Sequence, residues 1–318
     1  MHYFITGGAG FIGSNCVDRL LNNNHEVTVY DNFSTGRKEF LDNAKMFEKF
    51  HLIEADLLDV DTLEEGMRGC DFVFHFAANA DVRFGLSHPD KDLKQNILAT
   101  YNVLEAMRKN SIKKIVFSST GSVYGDTGVI PTPEDAPFPI QTSLYASSKL
   151  ACEAYISSYC EGFDMQAFIF RFVSILGERY THGHIFDFYK KLQKNPNELE
   201  VLGNGKQTKS YLYIGDCINA ILLAVNEAQE KINIFNLGTD EHCQVVDSIG
   251  YLCEDLELKP ALNYSGGERG WIGDNPFIFL DCKKVRGLGW KPELSIKEGI
   301  IRTLNFLKEN TYLFEENN

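Results

Sequence analysis

The sequence predicts a doubly wound α/β protein, a parallel sheet covered by helices on both faces, with a smaller mixed lobe at its C-terminal end. Three observations lead there. Short β-rich runs alternate with longer helical patterns through the first half, a glycine-rich turn follows the first run directly, and the alternation stops near residue 175. Strand–helix alternation of this kind means parallel strands joined by right-handed crossovers.

The first run, Tyr3–Thr6, is followed by the helical pattern Ser14–Asn22. Further strands are expected at Val27–Tyr30, Lys49–Ile53, Asp71–Phe76 and Lys114–Ser118. They show little polar alternation, as strands covered on both faces should. Helices are expected at Val60–Arg68, Asp92–Lys109 and Tyr145–Tyr159. Pro131–Pro139 holds four prolines and reads as a rigid surface loop beside a site. Beyond residue 175, Gly177–Gly183 and Asn195–Gly205 are too polar and glycine-rich to read as regular strand–helix units. Helices at Ile185–Gln193 and Ile214–Glu227 and a buried strand at Asn233–Leu237 complete the pattern. The expected division is a sheet domain over 1–175, with a strand near 233–237 returning to it, and a second lobe over 176–318.

A chain of 318 residues that is 44% hydrophobic and 24% charged can bury a large core, which excludes a disordered or fibrous protein. Its net charge of −13 argues against nucleic acid or a polybasic membrane surface, because both need clustered Lys and Arg. An anionic small molecule in a local basic pocket stays open. The eight cysteines are scattered without a Cys-x-x-Cys pair, so reduced thiols are expected rather than disulfides or a metal site. No apolar run approaches the ~18 residues that span a bilayer, and the N-terminus meets glycines too early for a signal segment. A cytoplasmic protein is the expectation.

Thr6-Gly7-Gly8-Ala9-Gly10-Phe11-Ile12-Gly13 follows a strand and opens a helix. It satisfies both Gly-x-Gly-x-x-Gly and Gly-x-x-Gly-x-x-Gly. Such a turn brings backbone close to a pyrophosphate and aims a helix N-terminus at the anion, the signature of a Rossmann-type dinucleotide site. Asp31 ends the second strand about 20 residues on, where a carboxylate accepts ribose hydroxyls and repels a 2′-phosphate. Arg37 and Lys38 lie nearby but read as solvated charges after a turn, so NAD rather than NADP is expected.

Of fourteen tyrosines, Tyr145 alone has a lysine four residues later, Lys149, on the same face of a helix. Ser118-Ser119-Thr120 ends a predicted central strand, where doubly wound sheets place ligands. A phenol of pKa near 10 needs about 4 kcal/mol of help to act as a base at neutral pH. A cation ~5 Å away at an effective dielectric of ~20 gives about 3 kcal/mol. Lys149 together with a positive nicotinamide ring would bring Tyr145 close to working range, and with Thr120 bonding the same substrate oxygen an alcohol would be oxidised as hydride passes to NAD.

Together these motifs resemble an extended short-chain dehydrogenase/reductase, and the resemblance covers nearly the whole chain. Tyr30-Asp31-Asn32-Phe33-Ser34-Thr35-Gly36-Arg37, His75-Phe76-Ala77-Ala78, the run from Phe117 to Gly125 and Gly287-Leu288-Gly289-Trp290-Lys291-Pro292 are similar to NAD-dependent sugar-nucleotide epimerases and dehydratases. Arg269-Gly270-Trp271-Ile272-Gly273-Asp274 resembles the UDP-glucose 4-epimerase group most. The resemblance implies that Gly7, Gly10, Phe11, Ile12 and Gly13 hold pyrophosphate. It implies that Asp31, Asn32, Ser34, Thr35 and Gly36 meet the adenosine ribose and that Asp56 and Leu57 frame adenine. Ala77, Ala78, Asn96 and Val173 would line the other half of the cofactor, with Tyr145 and Lys149 touching it too. Thr120, Tyr145 and Lys149 become the catalytic group, and Arg269 the partner of a substrate diphosphate. A homodimer is implied as well, with a seam of Leu150, Tyr155 and Tyr159 against Tyr101, Leu104 and Met107.

Dehydratases and the related decarboxylases of this family carry a Glu after the catalytic Ser/Thr, where this chain has Gly121-Ser122. Loss of that acid argues for epimerisation at C4, with UDP-sugars the default substrate. Gly121 and Ser122 are expected to leave room near the sugar. Ser174 and His184 stand where many 4-epimerases carry Asn, and Lys209-Ser210-Tyr211 replaces Arg-Asp-Tyr, so Ser174, His184, Lys209 and Arg269 are the candidate substrate contacts. The alternatives are a 4-keto-sugar reductase or dehydrogenase that releases its cofactor, a dehydratase, and a non-catalytic NAD-binding regulator.

Overall fold

The computed structural model describes residues 1–80, 87–138, 140–270 and 277–314. Among these residues seven strands form one parallel sheet: β1 (His2–Thr6), β2 (Glu26–Asp31), β3 (Phe50–Glu54), β4 (Phe72–His75), β5 (Lys114–Thr120), β6 (Gln166–Phe172) and a last strand, Ile232–Leu237. Their spatial order is last strand, β6, β5, β4, β1, β2, β3. The direction of build-out reverses between β1 and β4, where Thr6 sits opposite His75. In open α/β sheets the crevice beyond the strand C-termini at such a reversal is where ligands bind.

Both faces of the sheet are apolar, which explains the lack of alternation in the strands. Phe72, Phe74, Phe168 and Phe170 point to one side, against Cys16, Val17 and Leu20 of the helix Phe11–Asn22 and Cys217, Ile221 and Ala224 of the helix Ile214–Glu227. Val73, Ala167 and Ile169 point to the other, against Leu63, Val103, Leu104, Met107, Cys152 and Ile156. These come from the helices Val60–Gly66, Ala99–Lys109 and Leu144–Phe163. Leu104 and Met107, expected in a dimer seam, are therefore core residues, whereas Tyr101 and Tyr155 are exposed.

Three differences from the sequence reading have physical causes. The strand β6 was not anticipated; Arg171 lies near its end, acceptable in a buried strand because a carboxylate faces it. The helix expected over Asp92–Lys109 is a short α-turn at Pro89–Asp92, a π-helical segment at Leu93–Leu98 and an α-helix from Ala99. Such wide turns are frequent at functional sites, and this one carries Asn96. Within Asn195–Gly205, Glu198–Val201 is a strand, paired in parallel with Ala261–Tyr264 some sixty residues on by sequence.

Past residue 175 the chain also pairs Ser174–Leu176 with Tyr211–Tyr213, and sets Thr208–Lys209 between Cys243–Gln244 and Phe277–Ile278. The helices His184–Lys194, Val245–Asp255 and Ile296–Glu309 close over Leu192, Leu199, Ile249, Leu252, Ile300 and Leu304. The proline loop is more than surface punctuation, since Thr132 is buried and bridges Leu280; its Pro139 lies outside the described residues. No described helix is long and apolar enough to cross a membrane. The eight cysteines are free and seven are buried.

Candidate active site

The glycine turn is held by close backbone approach. Gly7 has φ +69°, and a Cβ there would lie 2.6 Å from the Ala77 nitrogen; at Gly13 a Cβ would lie 2.1 Å from the Gly7 carbonyl oxygen. Gly10 caps the helix Phe11–Asn22 without a side chain, so the first-turn amides at Phe11, Ile12 and Gly13 keep their room for an anion. Asp31 ends β2 with its carboxylate accepting hydrogen bonds from the Ala9 amide at 2.9 Å and the Phe33 amide at 2.8 Å. Burial pushes that carboxyl above its usual range, and the two amides pull the other way.

Around Asp31 the predicted ribose and adenine residues form one surface. Asn32 donates to Asp56 at 2.7 Å and accepts from the Ser34 amide at 3.0 Å, Thr35 is exposed, and Gly36 lies against Asp31. Leu57 is buried and receives Asn102 at its carbonyl. Lys38 is spent on an exposed ion pair with Glu54. Ala77 donates to the Thr6 carbonyl, with Ala78 half-buried after it, and Val173 donates to the Leu237 carbonyl. These points lie along the carboxyl edge of the sheet. Asn96 is buried, its amide donating to Ser148 at 2.8 Å and its carbonyl accepting from the Asn79 amide at 2.8 Å.

Ser143 caps the helix Leu144–Phe163 by accepting from the Ala146 amide at 3.1 Å, which fixes Tyr145 in its first turn. Tyr145 lies beside the Thr120 hydroxyl at the end of β5, and Thr120 accepts from the Ser122 amide at 3.1 Å. Lys149 is buried one turn on, donates to the Ser118 carbonyl at 2.7 Å and lies 4.7 Å from the centre of the Phe117 ring. Burial pulls its pKa down to about 8, opposed by Cys152, Glu153 and Asp92. Burial likewise pushes Tyr145 up to about 12, with Thr120 opposing. Tyr145 and Thr120 are thus brought together, with Lys149 one helical turn on.

In the lobe, Lys209 pairs with Ile278 in register, and Ile278 packs where a Gly121 Cβ would be, at 3.3 Å. Leu280 is equally close, so the space where a Gly121 side chain would stand is taken by Ile278 and Leu280. Arg269 reaches the loop after β5, donating to Asp126 at 2.7 Å. Of the motif that follows it, Trp271, Ile272, Gly273 and Asp274 lie outside the described residues. Ser174 is exposed opposite Tyr211. His184 turns inward, 3.1 Å from Ser248 and 3.2 Å from the Tyr211 hydroxyl, and burial pulls its pKa down to about 3. That is the environment of a neutral packing histidine.

Residues 3–238 match the NAD dependent epimerase/dehydratase family. The chain belongs to that family. Its relatives include a UDP-glucose 4-epimerase of Mycolicibacterium smegmatis, 31% identical over 98% of this chain and 100% of that one. Among solved structures, a UDP-galactose 4-epimerase is 37% identical with TM-score 0.88, covering 98% of this chain and 99% of the other. A UDP-glucuronic acid 4-epimerase of Bacillus cereus, in complex with UDP-glucuronic acid and NAD, is 27% identical with TM-score 0.90, covering 97% and 99%. As a family member the chain is NAD-dependent, and its residues fit that group. The Gly7–Gly13 cradle has no room for side chains, and Asp31 presents a carboxylate where the 2′-phosphate of NADP would be repelled.

Sequence reasoning missed the buried polar centre behind Thr120, Tyr145 and Lys149. Arg171 forks onto Glu153 at 2.7 and 3.1 Å, and donates to the Tyr124 hydroxyl at 2.7 Å and the Glu134 carbonyl at 2.9 Å. Ser119 donates to the same Glu153 carboxylate. Tyr124 donates to Asn236, whose amide reaches the Thr132 and Asp281 carbonyls. The signal was present: Tyr145, Lys149 and Glu153 are spaced i, i+4, i+8 on one helix face. A second chain was equally hidden, from Thr6 through His75 to Thr100 and Cys152. Among the described residues no group of His, Cys, Asp or Glu could hold a metal ion.

Proposed function

We propose that this chain inverts C4 of a UDP-sugar of the UDP-glucose/UDP-galactose kind through a transient 4-keto sugar. The observation that carries the reading is Tyr145 set beside Thr120 at the carboxyl end of β5, followed by Gly121 and Ser122 rather than an acid. Dehydration would need a proton donor there; epimerisation does not. The names of the 4-epimerase relatives favour the same chemistry.

Gly7, Gly10, Phe11, Ile12, Gly13, Asp31 and Val173 would hold NAD. When bound, NAD would supply a hydride acceptor and donor. Tyr145 takes the O4 proton in the oxidation half and returns it in the reduction half, with Thr120 bonding the same oxygen. In its charged form, Lys149 would favour the phenolate needed for the first half. Arg269 and Lys209 hold the diphosphate while the 4-keto sugar turns its other face. The same reading assigns 1–175 with the 233–237 strand to the cofactor and 176–318 to the substrate. It places the enzyme in a reducing, cytoplasmic setting that suits its free thiols. Tyr101 and Tyr155, exposed on neighbouring helices, support a homodimer seam there.

The test is a proton NMR time course of the purified protein with UDP-glucose and no added cofactor. Conversion to UDP-galactose supports the reading. An unchanged spectrum for UDP-glucose and for other UDP-sugars overturns it.

A further inference from the structure

Three elements meet at one carboxylate. Glu153 lies one helical turn beyond Lys149 and two beyond Tyr145, and it receives the hydroxyl of Ser119, the residue before Thr120. Arg171 of β6 fixes the carboxylate from behind with both Nε and a terminal nitrogen, at 3.1 and 2.7 Å. Its guanidinium carbon also lies 4.9 Å from the centres of both the Tyr124 and Phe138 rings, which stack on one another beside it. The side chains of this ion pair are 2% and 6% exposed. A buried pair is poor evidence for stability, because desolvation offsets its attraction. What this one does is join the catalytic helix to the catalytic strand end.

We infer that Glu153, locked by Arg171, is a positioning residue for the Thr120–Tyr145–Lys149 group: it anchors β5 at Ser119 and sets a fixed negative charge beside Lys149. The inference rests on the catalytic reading above. Lys149 is faced by the Phe117 ring and Ser118 carbonyl of β5, by His75 of β4, by Asp92, and by Cys152 and Glu153 of its own helix. Burial keeps the His75 imidazole neutral and raises the Cys152 thiol, so the negative charges facing Lys149 are Asp92 and Glu153. Asp92 is tied to Asn79 at 2.8 Å and touches neither Ser119 nor β5 in any hydrogen bond described. Among the described residues, Glu153 serves both the lysine and the strand.

The test compares full-length wild type with Glu153→Gln, Glu153→Asp and Ser119→Ala, each loaded with NAD and checked for folding by thermal denaturation. Lysine carrying 13C at Cε reports the Lys149 titration, assigned by the signal lost in Lys149→Met; turnover is read with UDP-glucose. In Glu153→Gln the Lys149 midpoint should fall by about one pH unit. The alkaline limb of kcat should move with it, and KM should stay within a few-fold. Ser119→Ala and Glu153→Asp should leave the midpoint in place yet lower kcat about tenfold or more, because they lose the anchor and keep the charge. An unmoved midpoint in Glu153→Gln overturns the charge role, and full kcat in both other variants overturns the anchor; that last arm stands even if Glu153→Gln does not fold. The titration needs no sugar, so a wild type inactive on UDP-sugars would overturn the epimerase reading and leave this test intact.

Discussion

Two cations face the end of β5 from opposite sides, and they are built differently. Lys149, from the sheet side, is 2% exposed and donates to a backbone carbonyl, and burial draws its pKa down to about 8. Arg269, from the lobe, is 42% exposed and rests on an equally exposed Asp126. A charge held dry at fixed geometry acts strongly on a neighbouring proton but costs stability. A solvated charge on a long arm does little to a pKa and can follow an anion. On the proposed reading the sheet side serves proton transfer, and the lobe side holds a ligand whose sugar must move.

The largest effect should come from the dry side. Tyr145→Phe removes the proton carrier and should lower kcat about 10³-fold, within the range general acid–base groups contribute. KM for the UDP-sugar and the bound NAD should change little, since Arg269 and the glycine turn are untouched. A variant that kept a tenth of wild-type turnover would mean that another group moves the proton.

Next comes the cost of the buried cation. The fall of Lys149 from 10.5 to about 8 corresponds to about 3 kcal/mol of lost stability at neutral pH, at about 1.4 kcal/mol per pH unit. The folded pKa lies below the unfolded one, so the unfolded chain binds more protons between about pH 8 and 10.5. The penalty is therefore full below about pH 8 and is relieved as pH rises through that window. Lys149→Met should be more stable than wild type at pH 7 by up to about 3 kcal/mol, less so at pH 10, and nearly inactive. Urea unfolding at the two pH values checks the sign; a variant less stable at pH 7 would break the contrast drawn above.

The same contrast explains what could be read from the chain alone. The glycine turn, Asp31 and the Tyr145/Lys149 spacing are local patterns tied to one strand or one helix, and the helix Ile214–Glu227 was placed to the residue. The parts that escaped are long-range. Glu153 and Arg171 make sense only as a pair, and without its partner an arginine argues against a buried strand such as β6. The strand Glu198–Val201 depends on Ala261–Tyr264, and Gly121 could not be seen to face Ile278 and Leu280. His184, a candidate substrate contact by position, has neighbours in Tyr211 and Ser248 that position alone did not reveal. In the lobe, residues become neighbours through two- and three-stranded pairings that leave little periodicity in the sequence.

On the exposed side the expected effects are smaller and appear in KM. Arg269→Ala should raise KM for the UDP-sugar about tenfold, with kcat within a few-fold, because a diphosphate contact is made alike in ground and transition states. An equal loss in kcat would show that Arg269 acts in the chemical step, and the two cations would then no longer divide the work as proposed.

The smallest effect tests the arm itself. Asp126 holds Arg269 at 2.7 Å with both side chains more than two-fifths exposed, so the pair should contribute under about 1 kcal/mol to folding. Its carboxylate competes with any anion that Arg269 binds. Asp126→Ala should therefore leave thermal stability nearly unchanged and lower KM about twofold at low salt, the difference shrinking toward 1 M salt as screening shortens to about 3 Å. A higher KM would instead mean that Asp126 aims the guanidinium toward its ligand. Arg269 would then be a fixed clamp like Lys149, and the lobe would be as rigid at this point as the sheet.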